Sequence, residues 1–178
     1  PRIGIAGLSR NSDTLKMAGE KGFIPLSLNL GTSYVASHWQ AVEDGASAAG
    51  RTANRNDWSL VREVFVAATK EAWELSVNGP MGRMMGEYLL PLLANFGFLE
   101  NLKHDPDVAD SEVTVEYCAK HNWLIGSPDT VAEKLANMYD ECNGYGKLPV
   151  FGFDYADQPE ALPRSLPLLA NDVTPKVA

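Results

Sequence analysis

Apolar positions follow two alternating patterns along the chain. Ile3 to Gly7 form a short apolar run ending on glycine, and Leu15, Met17 and Ala18 follow at helical spacing, which predicts a strand, a loop and a helix over 13–21. Gly22 supplies a stop, and Phe23 to Leu30 reads as a second strand, with Pro25 near its start where a lost donor is tolerated. Gly31-Thr32-Ser33 offers an N-cap. Val35, Trp39, Val42, Ala46 and Ala49 then recur every three or four residues and predict an amphipathic helix from 34 to 49. The β-branched and aromatic stretch Val61 to Thr69 predicts a third strand, and Lys70 to Ser76 begins a helix.

From Pro80 to Leu99 the residues Met81, Met84, Met85, Tyr88, Leu89, Leu92, Leu93 and Phe96 make a wide apolar face interrupted by Pro91, which predicts a kinked helix. That face suits core packing or a subunit contact, and its methionines and aromatics also suit a lid over an apolar substrate. Asp105 to Glu116 is acidic and reads as a solvated loop running into a short helix. Ser127, Pro128 and Asp129 combine an N-cap, a first-position proline and a first-turn acid, and predict a helix to about Cys142. Leu148 to Asp154 predicts a fourth strand, followed by a helical segment to about Val173. Pro163 and Pro167 fall inside that segment at about 3 kcal/mol per interior proline, so a break is expected there.

Strands alternating with helices specify a parallel sheet with two ordinary closures, a doubly wound open sheet or part of a (β/α)8 barrel. Periodicity does not choose between them. A dinucleotide fingerprint is absent after the first strand, where Gly7-Leu8-Ser9-Arg10-Asn11-Ser12 stands in place of GxGxxG. The length of 178 residues corresponds to about one domain. A formal charge of −8 and the lack of a basic stripe argue against nucleic acid and anionic lipid as partners. With no apolar run of about 18 residues and no basic-then-apolar leader pattern, a soluble cytoplasmic chain is expected. Cys118 and Cys142 lack CxxC or zinc spacing and read as reduced structural thiols; His38, His104 and His121 are scattered, and no metal site is expected.

The loop between the first strand and the first helix concentrates the candidate chemistry. Ser9, Asn11, Ser12 and Thr14, with Arg10 and Lys16 beside them, would place hydroxyls, an amide and cations around the free N–H groups of a helix N-terminus, a suitable cradle for a phosphate. The same spacing is equally that of a helix cap provided by Asn11, Ser12 or Asp13.

Three stretches, Ala6 to Gly22, Gly79-Pro80-Met81-Gly82, and Leu124-Ile125-Gly126-Ser127-Pro128-Asp129-Thr130-Val131-Ala132-Glu133-Lys134-Leu135, resemble the C-terminal half of the luciferase-like flavin-dependent monooxygenases, nearest the limonene and diketocamphane monooxygenase type. The resemblance covers residues 1–178 and implies one TIM (β/α)8 barrel domain, of which this chain supplies strands five to eight. It also implies FMN at the C-terminal ends of the strands, where barrel enzymes keep their sites. The FMN phosphate would fall on Arg10, Asn11, Ser12 and Thr14, with backbone from Leu8 and Ser9. In the family a separate flavin reductase supplies reduced FMN, and O2 adds at flavin C4a to give a peroxide that oxygenates a small hydrophobic substrate, terpenoid or alkyl. No protein nucleophile is implied, so no catalytic side chain is assigned. Ser27 and Asn29, Ala68 and Thr69, and Phe153 and Asp154 are candidate pocket residues at strand ends, and rim packing or helix caps account for them equally.

The chain opens in the middle of a strand pattern, as expected of a piece of something longer, and a complete barrel takes about 250 residues. Half a barrel leaves unpaired parallel edges and an exposed core face, so association with the missing N-terminal half, or a homo-oligomer, is expected. Two further readings share the sequence: a deazaflavin-dependent dehydrogenase on the same fold, and a non-catalytic half-barrel subunit that binds a phosphate or a partner chain.

Overall fold

Strand β1 (Gly4–Gly7) pairs in parallel with β2 (Ile24–Ser27), and β2 pairs in parallel with β3 (Ser59–Leu60), in the order β1-β2-β3. The computed structural model describes residues 2–177 and divides into two units, one containing the chain up to Arg62 with Tyr139–Val150, the other Glu63–Met138 and the chain from Phe151 on.

In the first unit, α1 (Asp13–Lys21) starts at Ser12, whose side chain accepts from the Leu15 N–H at 3.3 Å, and stops at Gly22, which takes the left-handed conformation at φ 70°. The predicted helix over 34–49 is two helices, α2 (Thr32–Ala36) and α3 (His38–Ala48). Ser37 stands between them and donates its hydroxyl to the Tyr34 carbonyl at 2.6 Å, a side-chain bond that competes with helical continuation. Helices α1 and α3 meet backbone to backbone: a Cβ on Gly19 would lie 2.0 Å from the Val42 carbonyl oxygen, and one on Gly45 would lie 1.9 Å from that of Lys16. Only glycine fits at either position.

A polar network sits in the core beneath these helices. Trp58 is fully buried and donates Nε1–H to Ser27 Oγ at 2.9 Å, while Nδ1 of the fully buried His38 lies 3.0 Å from the same oxygen. Trp39 packs 5.3 Å from Trp58, and the Arg55 guanidinium lies 4.8 Å over Trp39 while donating to the Cys142 carbonyl at 2.6 Å. The buried Arg62 donates to the Val61 carbonyl at 2.9 Å.

In the second unit, β4 (Val64–Val66) pairs in parallel with β5 (Leu124–Gly126). Around this pair lie α4 (Thr69–Val77), α5 (Pro80–Arg83), α6 (Leu90–Phe96), α7 (Val115–His121), α8 (Pro128–Glu141), whose last residues from Tyr139 belong to the first unit, α9 (Ala161–Leu168) and α10 (Thr174–Val177). Lys134 of α8 donates to the Trp123 carbonyl at 2.9 Å, and burial lowers its pKa. Between α5 and α6 a π-helical stretch, Met84–Leu89, replaces the expected kink. Its wider turn precedes Pro91, whose ring would otherwise crowd the carbonyl four residues back. The apolar face is only partly buried: Met81 and Met85 are in the core, whereas Tyr88 and Phe96 are 55% and 65% exposed.

Three expectations from the sequence are corrected. The strand expected over 61–69 is shortened to β4 (Val64–Val66): the buried Arg62 interrupts the apolar run, and the residues just before it form β3 (Ser59–Leu60) in a different sheet. The strand expected over 148–154 is reduced to an isolated parallel bridge of Val150 with Arg62; Pro149 has no N–H and contributes only its carbonyl, which accepts from Arg62 N at 3.1 Å. The break expected at Pro163 and Pro167 does not occur: α9 runs through both and passes into a π-helical stretch at Leu169–Val173. Pro163 lies in the first turn, where its N–H would have had no acceptor in any case. Buried Ser165 then accepts from the Val66 N–H at 2.7 Å, satisfying a strand donor from the helix. Cys118 and Cys142 are buried free thiols, pushed up to about 12 and about 11 by burial.

Alanine at Gly45 would gain about 1 kcal/mol of helix propensity, but it sets a methyl against a backbone oxygen that cannot turn away. Gly45→Ala is therefore expected to lower the unfolding free energy by roughly 1–3 kcal/mol in chemical denaturation; a gain would show that the helices separate at no cost. His38 supplies a second prediction. Desolvation depresses its pKa from 6.5 to about 4, with Arg10 and Arg62 lowering it further and the Leu8 backbone raising it in part. The unfolded chain binds the extra proton first, so the contribution of neutral His38 is complete above about pH 6.5 and is lost as pH falls toward 4, by on the order of 3 kcal/mol. Unfolding free energies between pH 7 and 4 should show a shallower acid slope for His38→Asn than for the parent chain, and an identical slope would refute the assignment.

Candidate functional site

The loop from Leu8 to Ser12 joins the end of β1 to the start of α1 within the first unit. Gly7 closes the strand against the helix: a Cβ there would lie 2.4 Å from Leu15 Cγ and 2.6 Å from Ser12 Oγ. This tight turn brings Ser12 and Thr14 under the strand end. Thr14 Oγ1 donates to the Ala6 carbonyl at 2.6 Å, which uses its only proton. The 2.8 Å contact between Ser12 Oγ and Thr14 Oγ1 is then a bond from Ser12 to Thr14, and Ser12 Oγ remains an acceptor for the Leu15 N–H.

Both hydroxyl protons are therefore committed inside the loop. What it still offers to solvent are the N–H groups at the first positions of α1, which have no intrahelical acceptor, and the exposed side chains of Ser9, Arg10 and Asn11. The Arg10 guanidinium lies 4.4 Å over the ring of Tyr34. Tyr34 is 6% exposed and meets His38 edge-on, with ring centroids 5.4 Å apart and planes at 78°. Lys16 stands beside the loop with Nζ 3.8 Å from Asp13. Leu8 is 56% exposed.

The alternatives of cap and anion cradle are compatible in this geometry. Ser12 is the cap, and the remaining exposed donors beside the helix N-terminus are of the kind that suits a small anion.

The candidate pocket residues are not assembled in one place. Ser27 is buried and spent on Trp58 and His38, and Asn29 is half-buried, both in the first unit. Ala68 and Thr69 are exposed at the start of α4 in the second unit. Asp154 is exposed and accepts from the Ala156 N–H at 2.9 Å in a local turn. Asp154 and Phe153 line an open cleft of about 460 Å³ with Phe151, Met84 and Arg83, and Thr69 is not among its walls.

Sequence reasoning missed Tyr34 and His38 as parts of the site. Their spacing of four was available, but Tyr34 reads as the first residue of a helix and His38 as one of three scattered histidines. The histidines are also less scattered than expected: His104 and His121 stack at 3.8 Å, and Tyr117 OH is bonded to His104. Among the described residues no group of three or more His, Cys, Asp or Glu is arranged to hold a metal, and no helix is long and apolar enough to cross a membrane.

No protein-family model matches the chain. It is 34% identical over 178 residues to 3,6-diketocamphane 1,6-monooxygenase of Pseudomonas putida, covering 99% of this chain and 47% of that protein. It is 28% identical over 165 residues to limonene 1,2-monooxygenase of Rhodococcus erythropolis, covering 90% of this chain and 40% of the relative. The chain spans about half the length of the curated relatives it matches. Among solved structures it is similar to the oxygenating constituent of the Pseudomonas putida 3,6-diketocamphane monooxygenase, described as a type II Baeyer-Villiger monooxygenase in complex with FMN, with a TM-score of 0.92 at 34% identity, covering 100% of this chain and 49% of that one. A coenzyme F420-dependent tetrahydromethanopterin reductase of Methanopyrus kandleri shares the fold, with a TM-score of 0.63 at 17% identity. Parallel strands joined by helices and these likenesses together make the chain similar, over nearly its whole length, to about half of the Pseudomonas putida diketocamphane monooxygenases, with the architecture of about half a luciferase-like TIM barrel.

Proposed function

We propose that residues 1–178 form the C-terminal half of a single luciferase-like (β/α)8 barrel, strands five to eight, and carry the phosphate-binding part of an FMN site in a two-component monooxygenase. The observation that carries this reading is the β1–α1 loop, where Ser9, Arg10 and Asn11 are exposed just before the free first N–H groups of α1 while Ser12 and Thr14 lock the turn. The loop's chemistry fits a phosphate monoester, and the 34%-identical relative of known structure is an FMN complex.

In this reading Arg10 and Asn11 bind the phosphate directly with Ser9 and the backbone of Leu8 and Thr14, and Ser12 and Thr14 hold the loop in the receiving conformation. Bound reduced flavin supplies the electrons that activate O2 for insertion into, or addition to, a small hydrophobic substrate of terpenoid or alkyl type. The protein's part is to orient the flavin and keep water from it. Asn29, Thr69 and Asp154 are proposed to face the substrate once the barrel is complete. A separate flavin reductase supplies the reduced cofactor, the N-terminal half of the barrel covers the exposed core face, and the protein works in the cytoplasm as a homo-oligomer. The deazaflavin reading is weaker because the F420-dependent neighbours are 13% and 17% identical and speak to the fold alone. A half-barrel subunit without catalysis would bind no flavin.

Titration of the chain with reduced FMN and reduced riboflavin under nitrogen tests the proposal. FMN is expected to bind more tightly, and Asn11→Ala to weaken FMN binding by about 1–3 kcal/mol while leaving riboflavin unaffected. Ser12→Ala should instead appear mainly as a stability loss of about 0.5–2 kcal/mol, since its side chain caps α1. Equal affinity for the two flavins, or binding of neither, would overturn the phosphate-loop assignment.

A further inference from the structure

Arg10 is exposed, and an unrestrained arginine loses much side-chain entropy when it grips an anion. Here it is already restrained. Its guanidinium carbon stands 4.4 Å from the centroid of Tyr34, close enough for a cation–π contact, and the ring beneath it is buried.

The ring itself is fixed from the core. His38 meets it edge-on at 5.4 Å, and His38 is held by Ser27, which in turn accepts from Trp58. Trp58 can only donate, so Ser27 Oγ accepts from it, and the direction of its bond with His38 Nδ1 is set by the imidazole tautomer. In the tautomer with Nδ1 as acceptor the imidazole carries its proton on Nε2, which is buried and makes no hydrogen bond of ordinary geometry among the described residues, although the Leu8 backbone acts on the ring. An imidazolium there would put a positive charge next to Arg10 and Arg62 in a desolvated site. The neutral ring keeps its packing role without repelling the guanidinium above.

Resting on the phosphate-loop reading above, we infer that Tyr34 is a positioning residue and a determinant of phosphorylated over unphosphorylated flavin: its buried ring face, braced by the His38–Ser27–Trp58 chain, presets Arg10 over the loop so that the guanidinium meets the phosphate with little further ordering. The interaction is with the ring face, so the tyrosine hydroxyl is dispensable. Tyr34→Phe and Tyr34→Leu separate these contributions, since both keep an apolar group in the core and only the first keeps an aromatic face.

The test is fluorescence titration of the full chain with FMN and with riboflavin for the parent, Tyr34→Leu, Tyr34→Phe, Arg10→Gln and the Arg10→Gln/Tyr34→Leu double variant, with unfolding midpoints measured in parallel. Tyr34→Leu is expected to weaken FMN about three- to tenfold, the range of a partly desolvated cation–π contact, and to leave riboflavin unchanged. Tyr34→Phe should retain parental FMN affinity, and Tyr34→Leu should add nothing to Arg10→Gln, as for two residues acting through one contact. An equal loss for both flavins, an FMN loss in Tyr34→Phe matching that in Tyr34→Leu, or an additive double variant would overturn the inference while leaving the phosphate loop standing. A parent chain that does not prefer FMN to riboflavin would overturn the phosphate-loop reading, and this inference with it.

Discussion

The contact between α1 and α3 at Gly19 and Gly45 is the constraint on which the rest of the first unit depends. Carbonyl oxygens of one helix occupy the space where a side chain of the other would begin, so the separation of the two axes is fixed by backbone atoms. Backbone has no rotamers with which to relax, and such a contact transmits position more faithfully than one between flexible side chains. Helix α1 carries the loop at its N-terminus, and α3 carries His38 at its own. Fixing one helix against the other therefore helps bring Arg10, in the loop leading into the first, to its place over Tyr34, whose ring meets His38 on the second. Near the start of α1, Gly7 adds a close approach of another kind, where the strand end lies against the side chains of Leu15 and Ser12.

Hydrogen-bond accounting then determines what the loop can do. A loop rich in hydroxyls reads in sequence as a set of donors, yet two of these protons are consumed in joining Ser12 to Thr14 and Thr14 to Ala6. These bonds close the turn and remove the hydroxyls from the list of available ligands. What the loop leaves exposed is a cation, an amide, the Ser9 hydroxyl and backbone N–H groups, a set weighted toward donors. A negative ligand gains most from such a set, even on a chain whose formal charge is −8, because charge at contact distance outweighs net charge that solvent screens.

Much of this was legible in the sequence. The first two strands, α1, the start of α8 and the order of elements follow from periodicity and from cap residues such as Ser12, Gly22 and Ser127. Illegible were features decided by contacts distant in the chain. β5 is a three-residue strand between two helices, and the apolar run Trp123-Leu124-Ile125 ending on Gly126 was its only local sign. The division of residues 59–66 into two strands depends on burying Arg62, a residue whose identity argues for exposure. At α9 the penalty expected for Pro163 does not apply, because the first turn has no N–H to lose, whereas Pro167 is a true interior proline that the helix carries just before its π-helical stretch. In the loop, the residue types were readable but their allocation was not: which hydroxyls lock and which groups remain free is a matter of proton direction, fixed only once Ala6 and Leu15 are placed around them.

The distribution of candidate residues separates two parts of the proposed activity. Every residue assigned to the phosphate, together with the Tyr34, His38, Ser27 and Trp58 that brace them, lies in the first unit. The proposed phosphate site thus draws on one sheet, three helices and one core network. Oxygenation makes a different demand, since the residues proposed for the substrate are drawn from both units and the relatives that the chain matches are about twice its length. Anchoring the cofactor's charged tail is a local property, which a short stretch of chain can encode completely in a turn and its supports. Excluding water around a reactive ring is a property of an enclosure, and it belongs to the whole barrel.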